Sequence, residues 1–441
     1  MDSDTTPNKV HILDATHKKP GSTGSLSDNP TIMIIAIGSR GDVQPAIILG
    51  KHLQKLGYQV KIFSSKDFGS LIVSQGLESI SSGENIRALF STEDGVTLMN
   101  LGHKQSEFFE QQQKMYDKSE FKGTTYDVVL ACEGADAVIS FNNMHLGITI
   151  AEYYDIKHIE LNFFPLSEVL SPGETRFIDQ PASEAIDHLR EQHFGLSRLS
   201  DVEYSDACAR ALRIQAYSRH VIPKYLDVPE NVQYTGFLYK DLDGSWTPPA
   251  SLEAFIEGSA GLTPTIPGKK IPIVSIGLGS MALHNPEDFL QMIVKASEHL
   301  NIKVVLLSGW GGIGEGEEKP ENIYCLEDAP HAWLFPRMDA LLHHGGAGTT
   351  AEAFKSGTPS IIMPFWYDQF FWSEQNYTLG LGPKALDKNA LKLDELIEAL
   401  EQALGNPSYR ENIKAIAQNL KNENACESAV NAIHAHISAI V

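Results

Sequence analysis

A strand, a turn and a helix start are written into Thr31-Ile32-Met33-Ile34-Ile35-Ala36-Ile37-Gly38-Ser39-Arg40-Gly41-Asp42-Val43-Gln44-Pro45. Residues 32–37 form a continuous apolar run rich in Ile, the mark of a parallel strand buried on both faces. A loop over residues 38–44 follows, and Pro45 suits the first turn of a helix, where its missing N–H costs nothing. Ala46, Leu49, Leu53 and Leu56 recur at helical spacing, Gly57 stops the helix, and residues 59–63 read as the next strand. This is a β-α-β unit.

The same grammar recurs on either side of one break. Residues 127–132, 137–140 and 158–162 read as further strands. Residues 165–181 are loop-rich, 183–212 helical and 232–236 strand-like. Residues 240–270 hold Pro248, Pro249, Pro264 and Pro267 and read as an interdomain linker. Beyond it, residues 273–276, 303–307, 339–343 and 360–363 read as strands, 286–299 as a helix, and the chain from 394 onward as mostly helical. The expected organisation is an unstructured tail over 1–30, a first domain over 31–239, the linker over 240–270 and a second domain over 271–420. A helix within 421–441 is expected to return to the first domain. The fold class is α/β: two doubly wound, Rossmann-like domains facing across a cleft. In such sheets ligands bind outside the carboxyl ends of the strands.

Charge and cysteine usage narrow the function. Thirty-five Lys and Arg against 56 Asp and Glu leave a net charge of −21, which repels nucleic acid and disfavours a stable electrostatic dock on anionic lipid. The four cysteines (Cys132, Cys208, Cys325, Cys426) are scattered, which fits a reducing compartment, so a cytoplasmic location is expected. The longest clean apolar run, residues 31–38, is far short of the ~20 residues of a membrane-spanning helix. No apolar segment typical of a signal peptide precedes it.

Four stretches could carry chemistry. His343-His344-Gly345-Gly346-Ala347-Gly348-Thr349-Thr350 places small residues at a strand-to-helix junction, where backbone N–H groups and the helix dipole make an anion site. The alternative is a turn kept small for close packing. The absence of Lys excludes the usual P-loop. Gly277-Leu278-Gly279-Ser280-Met281-Ala282 matches the dinucleotide fingerprint, but the strand after it ends in Ser308-Gly309-Trp310-Gly311-Gly312 without the acidic residue a nicotinamide enzyme needs. A turn that approaches a phosphate survives that test. Pro364-Phe365-Trp366-Tyr367-Asp368-Gln369 sets an aromatic wall beside a carboxylate and an amide, which suits a sugar's hydroxyls; alternatively, Asp368 only caps a helix. Asp42 is either a general base at the cleft or a residue fastening its own loop. Asp241-x-Asp243 looks like a metal-binding pair but lies in the linker rather than at a strand end.

Taken in order, these stretches, with Pro330-His331-Ala332-Trp333-Leu334-Phe335-Pro336 and Gly380-Leu381-Gly382-Pro383, resemble the family 1, GT-B-fold glycosyltransferases that use UDP-sugars. The sterol 3β-glucosyltransferase-like branch is the nearest. The resemblance is dense over residues 32–80 and 272–384 and thin over 165–267. It implies that His344, Gly346, Gly348, Thr349 and Thr350 hold the UDP diphosphate with Ser280. It sets Ala329 and Trp333 beside uracil and ribose, and Trp366, Asp368 and Gln369 at the donor sugar. Asp42 falls where the superfamily carries its base, with Ser39, Arg40, Phe163 and Phe164 on the acceptor side; Phe108 and Phe109 add to the same aromatic set. The sterol enzymes' Pro-Trp-Thr-like stretch is replaced here by Phe163-Phe164-Pro165-Leu166-Ser167.

The expectation is therefore an inverting enzyme moving glucose from UDP-glucose to a hydroxyl of a lipophilic small molecule, with no cofactor and no metal. Contact with a membrane would be weak and peripheral. Its rivals are a transferase for phenolics or other secondary metabolites, and a catalytically silent GT-B binding protein.

Overall fold

The computed structural model describes residues 10–12, 29–81, 85–101, 107, 111, 124–141, 143–165, 180–222, 228–239, 244, 246–265, 268–366 and 368–439. Two sheets organise it, and every strand pairing in both is parallel. The first contains β1 (Val10–Ile12), β2 (Thr31–Ala36), β3 (Gln59–Ser64), β4 (Glu78–Ser81), β5 (Ala137–Phe141), β6 (Lys157–Asn162), β7 (Leu212–Gln215) and β8 (Val232–Tyr234). Their order is β1-β4-β3-β2-β5-β6-β7-β8. The second contains β9 (Ile273–Gly277), β10 (Lys303–Leu307), β11 (Ile323–Leu326), β12 (Ala340–His343) and β13 (Ser360–Ile362), in the order β11-β10-β9-β12-β13. The strand order reverses between β2 and β5 in one sheet and between β9 and β12 in the other. Those two switch points are where such sheets take ligands.

The β2 run is buried along its length, as its apolar sequence requires: Ile32, Ile34 and Ala36 face one core cluster, Met33 and Ile35 another. The helix after it starts earlier than the proline suggests. It spans Arg40–Lys55, with Pro45 inside it. The local reason is a capping box: the Ser39 hydroxyl accepts from the Gly41 N–H at 3.1 Å, and Asp42 Oδ2 accepts from the Ser39 N–H at 2.8 Å. That closure outweighs one interior hydrogen bond lost at Pro45.

Other expectations change too. Residues 127–132 lie largely in the helix Thr124–Ala131 and not in a strand; a short buried apolar run has no period that separates the two. The strands β4, β7 and β11 had no clear alternation to announce them, and Ala250–Glu257 forms a helix inside the Pro-rich linker. Within the first 30 residues, Val10–Ile12 is not tail but an edge strand, pairing with the open side of β4.

Two features join the domains. The helix Ala425–Ser438 crosses back and adds Ala429, Val430, Ile433 and Ile437 to the first domain's core, with Tyr58 Oη bonded to His434 Nδ1 at 2.8 Å. In the opposite direction, the helices Ile86–Phe90 and Glu93–Asn100 lean onto the second domain. Met99 is fully buried in that domain's core cluster, Phe90 meets Trp366 edge-on at 5.7 Å, and Lys388 Nζ donates to the Asn100 carbonyl at 3.0 Å. Burying a side chain of that size contributes about 1.5–3 kcal/mol.

Candidate active site

Both switch points open onto the cleft, and each presents a turn. After β2, Asp42 sits at the third residue of its helix, half-buried, with its carboxylate against Gly38. A Cβ at Gly38 would lie 2.2 Å from Asp42 Oδ2, so glycine is required there both for space and for its φ of +144°. Loss of water around the carboxyl pushes Asp42 up to about 6, against the bonds from Ser39 that favour its charged form.

After β12, the helix Ala347–Ser356 begins with Gly346 as its N-cap and no side-chain cap of its own. Its first N–H, that of Ala347, donates to Asp368 Oδ2 at 3.1 Å. Asp368 therefore caps a neighbouring helix rather than only the helix Asp368–Thr378 that it starts. Burial pushes Asp368 up to about 7; the Ala347 N–H opposes that shift and the charge of Asp42 adds to it. The carboxylates of the two domains thus feel each other across the cleft.

His344 lies between the glycines. A Cβ at Gly346 would come within 2.6 Å of its Nε2, and one at Gly279 within 3.0 Å of its Cε1. Burial holds His344 down at about 4, with the His331 ring adding to the effect, so the imidazole is neutral at pH 7. Its Nδ1 is buried without a hydrogen-bond partner. His343, by contrast, faces inward: its Nδ1 accepts from the Gly345 N–H at 3.1 Å and burial keeps it neutral. Gly348 is exposed, and Thr349 and Ser280 are half-buried beside this turn.

Several expected site residues are placed elsewhere. Thr350 is fully buried, its hydroxyl without a hydrogen-bond partner. Gln369 is 3% exposed, and its Oε1 accepts from the N–H groups of Phe365 (2.8 Å) and Trp366 (3.4 Å), so it braces the turn from inside. Ala329 is buried. Trp333 meets Trp246 at 5.1 Å and carries the Arg337 guanidinium over its ring at 4.2 Å, which occupies one face. Phe164 belongs to the apolar junction with Trp372 and Phe354 rather than to a pocket wall. Phe163 is half-buried and pairs edge-on with Phe141, at the end of β5, at 5.1 Å. Arg40 does not face the acceptor side: its Nη1 reaches Asp328 of the second domain at 2.5 Å. Phe108, Phe109, Tyr367, Asp241 and Asp243 lie outside the described residues.

Asp328 has no assignment from the sequence, and His331 only a general one, within the stretch 329–333 expected beside uracil and ribose. The His331 ring stacks on Phe335 at 4.3 Å, and burial holds it at about 4 against the pull of Asp328. Only the spatial neighbours reveal its place beside His344.

Two parallel α/β domains with their switch points facing each other form the GT-B arrangement. Residues 32–164 match the glycosyltransferase family 28 N-terminal domain, and residues 304–439 match the erythromycin biosynthesis protein CIII-like C-terminal domain. The two matches, one at each end of the chain, mark it as a two-domain glycosyltransferase. It is 28% identical to a sterol 3-beta-glucosyltransferase of Arabidopsis thaliana over 92% of its own length and 65% of that protein. A Candida albicans sterol 3-beta-glucosyltransferase is also 28% identical over 93% of the chain but only 28% of that protein. The chain thus spans about two thirds of the plant relative and just over a quarter of the fungal one. Among solved structures, the calicheamicin glycosyltransferase superposes with a TM-score of 0.69 at 17% identity, covering 94% of this chain and all of that one. SnogD from Streptomyces nogalater gives 0.63 at 19% identity, over 92% and 100%. Among the described residues no helix is long and apolar enough to cross a membrane.

Proposed function

We propose that the protein transfers glucose from UDP-glucose to a hydroxyl of a lipophilic small molecule, with inversion at the anomeric carbon. One observation carries this reading. A carboxylate fixed on one domain faces, across the cleft, a glycine-built helix N-terminus whose only side-chain cap among the described residues comes from Asp368, beside an imidazole whose Nδ1 has no partner. The donor's diphosphate would lie on the N–H groups of residues 346, 348 and 349, with Gly348 and Thr349 at its edge, and take a hydrogen bond from neutral His344; Ser280 would meet it from the β9 loop. Asp368 and Trp366 would border the sugar. The acceptor oxygen attacks the anomeric carbon from the face opposite UDP, the bond to the diphosphate oxygen breaks, and the hydroxyl proton passes to Asp42. Negative charge develops on the leaving diphosphate, where the helix dipole and His344 stabilise it. These groups supply the stabilisation without a metal ion or cofactor.

The half-buried Phe141–Phe163 pair beside the β2–β5 switch supports an apolar acceptor, and the sterol-acting relatives support sterols or similarly flat molecules. A phenolic acceptor fits the same aromatic edge and is the second reading. The cysteine pattern supports action in the cytoplasm, with at most weak peripheral membrane contact. Release of UDP from UDP-glucose should be measured across a panel of sterols and phenolics, with mass spectrometry of the product. A hexose added to a sterol-like hydroxyl supports the proposal, and turnover confined to phenolics selects the second reading. UDP binding without transfer to any acceptor would leave a silent binding protein.

A further inference from the structure

Arg40 occupies the first residue of its helix. A cation there opposes the helix dipole, which favours anions in the first turn. The side chain is half-exposed, as is its partner Asp328 (48% and 50%), and pairs of that kind add little to global stability. Neither helix formation nor overall stability therefore explains an arginine at this position. Its placement does. The 2.5 Å contact joins the turn that carries Asp42 directly to the opposite domain. We propose that Arg40 is a positioning residue, whose ion pair with Asp328 sets the turn bearing Asp42 in register with the donor-binding turns.

The connection is continuous on both sides. On the first domain, Arg40 is two residues from Asp42, and the capping box fixes Asp42 Oδ2 to the Ser39 N–H at 2.8 Å. On the second, Asp328 follows Glu327, whose carbonyl accepts from the Gly309 N–H at 3.2 Å. The next residue, Trp310, donates its N–H to the Gly279 carbonyl at 2.9 Å, and Gly279 packs against the His344 ring. A shift of Asp328 is thus passed to the loop that cradles His344, and a shift of Arg40 to Asp42. The apolar contacts between domains, such as Phe68 stacked on Trp310 at 6.2 Å, hold the halves together but are tolerant of sliding. An ion pair with a defined oxygen and nitrogen fixes one orientation.

The inference rests on Asp42 being the base, and the test separates the two claims. Arg40→Gln, Asp328→Asn, the double variant and Asp42→Asn are assayed as full-length proteins with UDP-glucose and whichever acceptor the panel identifies. UDP affinity is measured by calorimetry, and thermal melting confirms folding. Each single neutralisation should lower kcat about tenfold, since small misplacements of a catalytic group are costly, while UDP affinity stays within twofold. The double variant should be no worse than the poorer single, and Arg40→Gln should change the residual turnover of Asp42→Asn by less than twofold. The charge-swapped Arg40→Asp/Asp328→Arg protein should recover much of the loss, and the single variants should melt as the parent does, whereas a merely structural role would lower the melting temperature. Unchanged kcat in both single variants would overturn the proposal, as would multiplying effects in the double. A parallel loss of UDP affinity would overturn it by making Arg40 a donor ligand. If Asp42→Asn keeps its turnover while Arg40→Gln loses it, the base assignment fails and the positioning role stands; the reverse pattern removes the positioning role and keeps the base.

Discussion

The turn after β2 and the turn after β12 occupy equivalent places, each at a switch point and each feeding a helix, yet they finish those helices differently. The first is closed from within: the Ser39 hydroxyl and the Asp42 carboxylate take up the local N–H groups. The second has no such side chain, and only its Ala347 N–H is met, by Asp368 from another element. A helix start that carries its own anion holds a carboxylate in one place. A helix start built from glycines keeps its positive pole for something that arrives from outside. In the proposed reaction, one fold device thereby supplies the proton acceptor on one wall of the cleft and the anion site on the other.

The sharpest way to break this contrast is Asp42→Asn. The amide keeps the size and can still accept the Ser39 N–H, but it cannot take a proton. Turnover should fall by about 10²–10⁴ while UDP binding, made on the opposite wall, is retained. Single-turnover rates and calorimetry on the same variant decide it. Turnover within a few-fold of the parent would reduce Asp42 to a helix cap.

The second turn is tested by His344→Ala. Removing one donor from the diphosphate should weaken UDP by ~1–3 kcal/mol and slow turnover alongside, because the interaction exists in both ground and transition states. Unchanged UDP affinity would empty the second half of the comparison.

The smallest effect is in the pH profile. With Asp42 near 6, its protonated form dominates below that pH, so kcat/KM should fall tenfold per unit on the acid side and level off above it. Asp368 titrates higher, near 7, and is mostly neutral while Asp42 titrates, so Asp368→Asn should leave this limb in place. An acid limb near 4 in the parent protein would show that the Asp42 carboxyl keeps its water in the working enzyme.

Much of this was legible in the sequence where local rules act alone. The Ile-rich run of β2 announces the buried strand, and the Gly-rich turn after β12 announces a strand-to-helix junction. What escaped depends on partners far away in the chain. Gln369 reads as a sugar ligand until the Phe365 and Trp366 N–H groups are seen to consume its oxygen. Thr350 has the spacing of a phosphate contact, but the fold buries it fully. The buried run in Thr124–Ala131 is too short to show a period. The attachment of Met99 to the other domain's core has no local sign at all.

The helix Ala425–Ser438 also dictates an order of assembly. Domains commonly fold in the order in which they leave the ribosome. Here the core beneath the helix Arg40–Lys55 waits for Ala429, Val430, Ile433 and Ile437 to cover it. The second half closes its own apolar clusters with Ile413 and Leu420, both upstream of that helix. The half that is translated first is therefore finished last, and until then its unsealed apolar strip is a ready contact for chaperones.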